Sequence, residues 1–210
     1  MLKIYPMTVG AAFQTNCYIL SAGDGAIIVD PGDEGSKIIT YLATQRLKPV
    51  AIFITHGHFD HIGALKEVQE KYGIPVYAHQ DEAKLFTDSK FNFSWKTGRM
   101  PVEFNDLSAF NFVCKDEVIE LLDQNINVLH VPGHSPGSLA FYFKDADVVI
   151  TGDALFKGSI GRTDLPGGNH EQLLKSIETK LFTLPDSTVV YPGHGPATTI
   201  GNEKRMNPFF

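Results

Sequence analysis

Four short segments place a candidate metal ligand directly after an apolar run that has the length of a β-strand. Residues 56–61, His-Gly-His-Phe-Asp-His, follow the apolar run of residues 50–54. The other three segments end Pro-Gly-His, Thr-Gly-Asp and Pro-Gly-His, at His134, Asp153 and His194. Loops at strand ends are where rigid scaffolds present functional groups, and glycine before a ligand permits a sharp turn. The four segments therefore support one another and favour a fold that presents strand ends at a shared site.

Residues 56–61 alone contain three imidazoles and one carboxylate. These two groups together suit zinc, iron, manganese or cobalt, whereas magnesium and calcium prefer shells made of oxygen alone. The alternative is a polar, His-rich loop without chemistry, but this segment is internal and lies between a strand-like and a helix-like pattern. We therefore predict a transition-metal site.

The remaining histidines need the context of that cluster to be interpreted. Taken singly, His134 or His194 is more typical of an ordinary core or surface histidine than of a ligand. Their Gly-turn context, repeated at Asp153, changes that interpretation and gives seven candidate ligands in all. His79, His130 and His170 lack this context, and we predict structural positions for them, the first two near strand ends and the third in the first turn of a helix.

Composition bounds the class of protein. The chain has 210 residues, of which 43% are hydrophobic and 20% charged, which is typical of one soluble globular domain spanning residues 1–210. A net charge of −6 argues against nucleic-acid binding. The start lacks an apolar signal core and no stretch reaches about 18 apolar residues, so we expect a cytoplasmic protein without membrane partners. Cys17 and Cys114 are expected to be buried free thiols.

Hydrophobic periodicity predicts mixed secondary structure in both halves. Residues 17–20 and 26–29 indicate a hairpin, a helix follows from Ser36, and residues 50–54 indicate a buried strand. After the histidine cluster, one helix is expected to run to a stop at Gly73, followed by a short strand at residues 75–78.

The second half repeats this mixture. Four β-like runs lie at residues 128–131, 139–143, 148–150 and 188–191, and Asn169 with Gln172 indicates the start of a helix. Residues 81–116 have weak periodicity and are expected to form a loop-rich, partly helical cover over the site. Two such halves suggest an α/β (α+β) fold, a four-layer αββα sandwich.

These segments resemble the metallo-β-lactamase fold superfamily, whose His-X-His-X-Asp-His motif is followed by later His, Asp and His ligands. Residues 151–164, from Thr151-Gly152-Asp153 to Gly161-Arg162-Thr163-Asp164, resemble the glyoxalase II-like (hydroxyacylglutathione hydrolase-like) branch and its short bacterial members. The resemblance spans almost the whole chain. Two departures are Gly195-Pro196 where the longer enzymes have Glu-Tyr, and the absence of room for their C-terminal helical substrate domain.

The resemblance implies a site for two divalent transition metals, with zinc the leading candidate and iron or manganese the alternatives. It assigns to the first metal His56, His58 and His134. It assigns to the second metal Asp60, His61 and His194. Asp153 would bridge both ions, and Asp60 and Asp153 would be the catalytic carboxylates.

The activity implied is hydrolysis of a small-molecule thioester, such as the glutathione conjugate S-lactoylglutathione. A bound metal lowers the pKa of water from about 15.7 towards 7, so hydroxide becomes available as the nucleophile at neutral pH. Asp30 resembles the position that supports a metal-binding histidine, although an ordinary turn role in Asp-Pro-Gly is the alternative. Lys157 and Arg162 are candidates for a substrate carboxylate, whereas a bracing ion pair from Arg162 to Asp164 is the alternative.

Other activities occur on the same scaffold. A persulfide dioxygenase would hold one iron with His56, His134 and Asp153, a shell that suits oxygen activation. Lactonase, β-lactamase and nuclease activities, or a metal-binding module without turnover, are further alternatives, because a fold does not determine its reaction. The sequence does not indicate an oligomeric state.

Overall fold

The amino-terminal part of the chain builds a six-stranded sheet around the predicted hairpin. A computed structural model describes residues 2–98 and 100–210. The strands of this sheet are β1 (Lys3–Val9), β2 (Thr15–Ala22), β3 (Gly25–Val29), β4 (Lys48–Phe53), β5 (Val76–His79) and β6 (Phe110–Val113). They lie in sequence order, with β1, β2 and β3 antiparallel and β3 to β6 parallel.

The carboxy-terminal part builds a second six-stranded sheet in the order β14-β13-β10-β9-β8-β7. Its strands are β7 (Glu117–Leu121), β8 (Gln124–His130), β9 (Leu139–Phe143), β10 (Val148–Gly152), β13 (Val189–Pro192) and β14 (Thr198–Thr199). Only β10 and β13 pair in parallel. A small separate hairpin, β11 (Leu155–Phe156) and β12 (Ser159–Ile160), follows Asp153.

The helices are short. They are α1 (Gly35–Thr44), α2 (Phe59–Ile62), α3 (Leu65–Tyr72), α4 (Ala83–Thr87), α5 (His170–Ser176) and α6 (Ile200–Met206). Single turns of 3-10 helix lie at Gln80–Glu82, Ser94–Lys96 and Lys144–Ala146, and a π-helical turn, Ile177–Leu181, extends α5. The start of α5 is capped as predicted, because Gln172 N donates to Asn169 Oδ1 over 3.0 Å.

Three hydrophobic clusters show how these elements form layers. One packs α1 and α3, through side chains such as Leu42 and Leu65, against the outer face of the first sheet. The second lies between the sheets, where Phe53 contacts Phe141 with ring centroids 4.7 Å apart. The third packs α5, through Leu173, against the outer face of the second sheet. The predicted αββα sandwich is therefore confirmed.

Three expectations from the sequence were wrong in detail. The helix expected after the histidine cluster breaks into α2 and α3, because at residues 63–64 the backbone packs against the turn after β3, where a Cβ on Gly63 would lie 2.3 Å from Gly32 O. The cover at residues 81–116 contains a strand, β6, that adds to the first sheet. Both cysteines are free as predicted, but Cys114 is exposed, since it follows edge strand β6.

The strands that precede the candidate ligands all end at one edge of the sandwich. There the two sheets are joined directly: Asn16 N donates to Gly193 O over 2.7 Å, and Leu139 N donates to Thr55 O over 2.8 Å. Within the described residues, no helix has the length and apolar character needed to cross a membrane.

Candidate metal centre

The loops after β4, β8, β10 and β13 bring all seven predicted side chains to this edge. A first group consists of His56, His58 and His134. Nδ1 of His58 lies 2.9 Å from Nε2 of His134, which lies 3.2 Å from Nε2 of His56. Nitrogens at the corners of a tetrahedron around Zn²⁺, with Zn–N of about 2.0–2.1 Å, would be about 3.3 Å apart. The spacing of the three imidazoles fits one cation between them.

A second group lies beside the first and contains Asp60, His61 and His194. Oδ2 of Asp60 lies 3.2 Å from Nε2 of His194 and 3.7 Å from Nε2 of His61. His61 is fully buried, whereas the side chain of His194 is 29% exposed. One carboxylate and two imidazoles with converging nitrogens fit a second cation, on the more open side of the cluster.

Asp153 lies between the two groups. Its Oδ2 is 3.7 Å from Nε2 of His134 and 3.5 Å from Nε2 of His194, while its Oδ1 is 3.4 Å from Nε2 of His61. Asp153 is thus near the ligand atoms of both groups, in the position that a bridging ligand would need.

Two polar atoms at this point have no hydrogen-bond partner among the described residues: Nε2 of His61 and Oδ1 of Asp153. The two atoms are 3.4 Å apart, but they are not oriented to form a hydrogen bond with each other. Buried polar atoms are nearly always paired, and those that are not need an explanation. Two such atoms facing one another within a His/Asp cluster are explained if a cation lies between the side chains, so the residues present fit a metal centre.

The outward ring nitrogens are held by hydrogen bonds, which fixes the direction of the inward ones. Nδ1 of His61 contacts Asp30 Oδ2 at 2.8 Å, and Nδ1 of His134 contacts the carbonyl of Arg162 at 2.8 Å. Nδ1 of His194 contacts the carbonyl of Phe13 at 3.1 Å. Such contacts set the tautomer and orientation of metal-binding histidines.

The first group of histidines is neutral at neutral pH. Burial, aided by the neighbouring His61, lowers the pKa of His56 far below its ordinary value. Burial likewise lowers the pKa of His58 to about 3 and lowers the pKa of His134. Neutral imidazoles offer the lone pairs that a metal requires.

The carboxylates are ionised. Burial alone would raise the pKa of Asp153, but His61 and His194 outweigh it and hold that pKa below its usual range. The pKa of Asp60 is also lowered, since His61 and His194 overcome the effect of burial. The cluster therefore contains the negative charge that a divalent cation would neutralise.

Comparison with known proteins agrees with this geometry. The sequence profile of the Metallo-beta-lactamase superfamily matches residues 10–194. The chain belongs to this superfamily. A probable metallo-hydrolase of Bacillus subtilis (strain 168), YqgX, is 48% identical over 99% of this chain and 97% of its own length. Hydroxyacylglutathione hydrolase GloC of Haemophilus influenzae is 37% identical over 99% of this chain and 97% of its own length.

Solved structures of the superfamily superpose over almost the whole chain. BLEG-1, a B3 metallo-beta-lactamase, has a TM-score of 0.93 and is 40% identical, covering 99% of both chains. TTHA1623, solved in a di-iron-bound form, has a TM-score of 0.85 and is 40% identical, covering 98% of this chain and 100% of its own. The metallo-beta-lactamase superfamily binds divalent metals, and the described residues of this chain include a His/Asp cluster that could hold a metal ion.

A cavity of about 540 Å³ opens above the cluster. Its walls are aromatic, and they include Phe13, Phe59, Phe93 and Phe156. Lys96 and Arg162 supply positive charge at its lining. The pocket therefore combines an apolar wall with cationic groups near the candidate metals.

The two residues expected to contact substrate, Arg162 and Lys157, differ in their position relative to the cavity, and Asp30 lies beneath the cluster. Arg162 lines the cavity, but its guanidinium forms two 2.7 Å hydrogen bonds to Asp164, so the bracing ion pair is present. Lys157 is exposed and is not among the residues that line the cavity. Asp30 and Thr55 form a buried network under His61, with Thr55 Oγ1 donating to Asp30 Oδ2 over 2.6 Å.

Sequence reasoning did not single out Phe13, Thr15 or Lys96. Thr15 Oγ1 donates to Asp60 Oδ2 over 3.1 Å, and Phe13 packs edge-on against Phe59 with ring centroids 4.8 Å apart. Neither residue belongs to a ligand motif, and both are distant in sequence from the residues they contact. For Lys96, the only indication in the sequence was its position within residues 81–116, the weakly periodic segment that was expected to cover the site.

Another His/Asp group lies elsewhere, formed by His79, Asp81 and His130. The two imidazole rings stack in parallel, with centroids 4.0 Å apart and planes inclined by 9°. Nδ1 of His79 accepts a hydrogen bond from Asp81 N over 3.2 Å, and Nε2 of His130 lies 2.9 Å from Pro136 O. Parallel rings cannot both direct an in-plane lone pair at one ion, so the group fits the structural role expected for these histidines.

Proposed function

We propose that the chain is a metal-dependent hydrolase that cleaves a thioester, with a glutathione conjugate such as S-lactoylglutathione as its substrate. The observation that carries the proposal is the convergence of seven ligand side chains in two groups joined at Asp153, beneath a cavity of about 540 Å³. In this proposal one domain, residues 1–210, supplies every ligand. The name of the Haemophilus influenzae relative, hydroxyacylglutathione hydrolase, supports the choice of thioester.

The two metals are proposed to be divalent transition ions, with zinc first and iron or manganese as alternatives. The first ion is assigned to His56, His58 and His134. The second ion is assigned to Asp60, His61 and His194. Asp153 is assigned to both, and bound divalent ions would supply Lewis acidity and lower the pKa of water towards about 7.

In this proposal the protein's own side chains orient the attacking water and shield the acyl group of the substrate. Asp60 is ionised and faces the cavity, with Thr15 donating a hydrogen bond to its Oδ2, so its carboxylate can accept a hydrogen bond from the attacking water and set that water's direction. The aromatic walls exclude bulk water from the acyl group. A thiolate leaving group needs little protonation, so no acid from the protein is required to expel it.

The charge of the cavity suits an anionic conjugate. Glutathione carries carboxylates, and the ammonium of Lys96 lies 5.1 Å from the ring centre of Phe93 and 5.4 Å from that of Trp95. These aromatic rings hold the cation at the rim of the cavity while leaving it exposed. Arg162 is less available to a substrate carboxylate, because two of its N–H donors already bind Asp164.

The test combines elemental analysis of the purified protein with a panel of thioesters, matched oxygen esters and a β-lactam, and with oxygen uptake on glutathione persulfide. We expect two divalent ions per chain, release of free thiol from the thioesters and no oxygen uptake. Oxygen uptake with one iron per chain would establish the dioxygenase instead. A fully metallated protein that cleaves only the β-lactam would overturn the substrate assignment.

A further inference from the structure

Glu82 is a fully buried carboxylate outside the ligand set. It ends the 3-10 turn Gln80–Glu82 and is 0% exposed. Its Oε2 accepts a hydrogen bond from Gly57 N over 2.6 Å, and its Oε1 accepts one from Gly137 N over 2.6 Å. Among the described residues, no lysine or arginine forms an ion pair with it. Burying a carboxylate without a cation is unfavourable unless hydrogen bonds satisfy it. The two hydrogen bonds to Glu82 therefore need a functional or structural explanation.

The two partners of Glu82 belong to two different ligand loops. Gly57 lies between His56 and His58, and Gly137 lies three residues after His134. These loops meet where His58 Nδ1 is 2.9 Å from His134 Nε2. One carboxylate therefore holds both loops that carry the first group of ligands.

The chemistry of the two contacts requires a carboxylate. Both partners are N–H donors, and an ionised carboxyl group presents an acceptor oxygen to each. Glutamine would present one oxygen and one NH₂, which leaves one N–H facing another donor. Burial raises the pKa of Glu82, while the hydrogen bonds from Gly57 and Gly137 oppose that rise.

The glycines permit the close approach. A Cβ at residue 57 would lie 2.6 Å from Leu85 Cβ, and a Cβ at residue 137 would lie 2.8 Å from Glu82 Cγ. A side chain at residue 57 would displace Leu85, and a side chain at residue 137 would displace Glu82. The glycine within the His-Gly-His segment is thus explained by packing against Glu82 and Leu85.

We propose that Glu82 is a positioning residue of the metal centre, whose two carboxylate oxygens fix the spacing between the loop of His56 and His58 and the loop of His134. This role rests on the proposed metal site and adds a residue that determines its geometry. It predicts that the affinity for metal, and not only the stability of the fold, depends on Glu82.

The test compares Glu82→Gln with a matched control, Glu203→Gln. Glu203 is also buried and accepts hydrogen bonds from Thr198 Oγ1 over 2.6 Å and from Gly158 N over 2.8 Å, but it contacts no ligand loop. Metal-free protein is titrated with Zn²⁺ against a competing chelator and with Co²⁺, whose absorption bands report ligand geometry. We expect Glu82→Gln to weaken Zn²⁺ binding about 10- to 100-fold, the usual effect of losing an outer contact, and to alter the Co²⁺ spectrum.

The control separates positioning from folding. Glu203→Gln should lower the melting temperature to a similar extent while keeping the wild-type affinity and spectrum. If Glu82→Gln does not fold, Gly137→Ala replaces it, because the added Cβ displaces the carboxylate without removing it. Wild-type affinity in either folded variant overturns the role of Glu82. A wild-type chain that binds neither ion overturns the metal site itself.

Discussion

Oδ2 of Asp30 lies 2.8 Å from Nδ1 of His61, so the opposite nitrogen of that ring faces Asp60 and Asp153. The same carboxylate accepts hydrogen bonds from the backbone and the hydroxyl of Thr55, at 2.8 and 2.6 Å. Asp30 is 1% exposed and has a φ of 50°. It therefore forms both the turn after β3 and a contact that orients His61.

Replacing Asp30 by asparagine tests this contact. Asparagine tolerates positive φ, so the turn is kept while the charged partner of His61 is lost. We expect metal affinity to fall about 10- to 100-fold, measured by chelator competition. Asp24→Ala, which removes an exposed carboxylate paired with Lys48, is the control and should bind metal normally. Unchanged affinity in Asp30→Asn would show that the contact is structural only.

Asp153→Ala removes a carboxylate that lies close to both groups of candidate ligands. Metal content and turnover should both fall, by more than the roughly 100-fold that loss of an outer contact causes. Elemental analysis and thiol release measure the two effects on the same sample. Asp145→Ala, an exposed carboxylate in the turn between β9 and β10, serves as the control. Full metal content with normal turnover in Asp153→Ala would exclude the bridging role.

Lys96→Ala tests charge recognition in the cavity. Contacts between exposed charges contribute about 0.2–1 kcal/mol, so we expect KM for a carboxylate-bearing thioester to rise about 1.4- to 5-fold with little change in kcat. The matched methyl ester should show no such increase. Lys144→Ala, which removes an exposed lysine outside the cavity lining, is the control. An equal change for acid and ester would mean that Lys96 acts by shape rather than by charge.

Metal removal should destabilise the fold. A metal present at 1,000 times its Kd stabilises the native state by about 4 kcal/mol. For a chain of this size that corresponds to a rise in Tm of about 8–16 °C. Thermal melting with and without chelator measures the difference. Asp153→Ala should respond weakly to the chelator; an equal response would point to metal bound elsewhere.

Much of the fold follows from local sequence patterns. The hairpin of β2 and β3 and the buried strands β4, β9 and β10 are apolar runs bounded by turn residues, and these signals are local. By contrast, β6 is four residues long within a weakly periodic segment, and its place in the sheet depends on pairing with β5. The break at residues 63–64 depends on contact with the turn at Gly32, which no local pattern encodes.

In the candidate site, too, some features follow from local sequence and others depend on contacts between distant residues. The convergence of the seven candidate side chains was predictable, because each lies in a dense motif or after a Gly turn at a strand end. Phe13, Thr15 and Glu82 were not, because each acts on a residue far away in sequence: Phe13 on His194, Thr15 on Asp60 and Glu82 on Gly57. Their types are common and their neighbours uninformative, so only the folded chain reveals their contacts.

The pairing of Thr15 with His194 makes assembly of the site a late event in synthesis. Until residue 194 has left the ribosome, a nascent chain offers six of the seven side chains, and the loop of Phe13 has no His194 ring to orient. A ribosome-bound chain shorter than this would have one group of candidate ligands complete and the other without His194. In the proposed two-metal site, capture of a second ion would then report that the loop of His194 has joined the loop of Phe13 and Thr15.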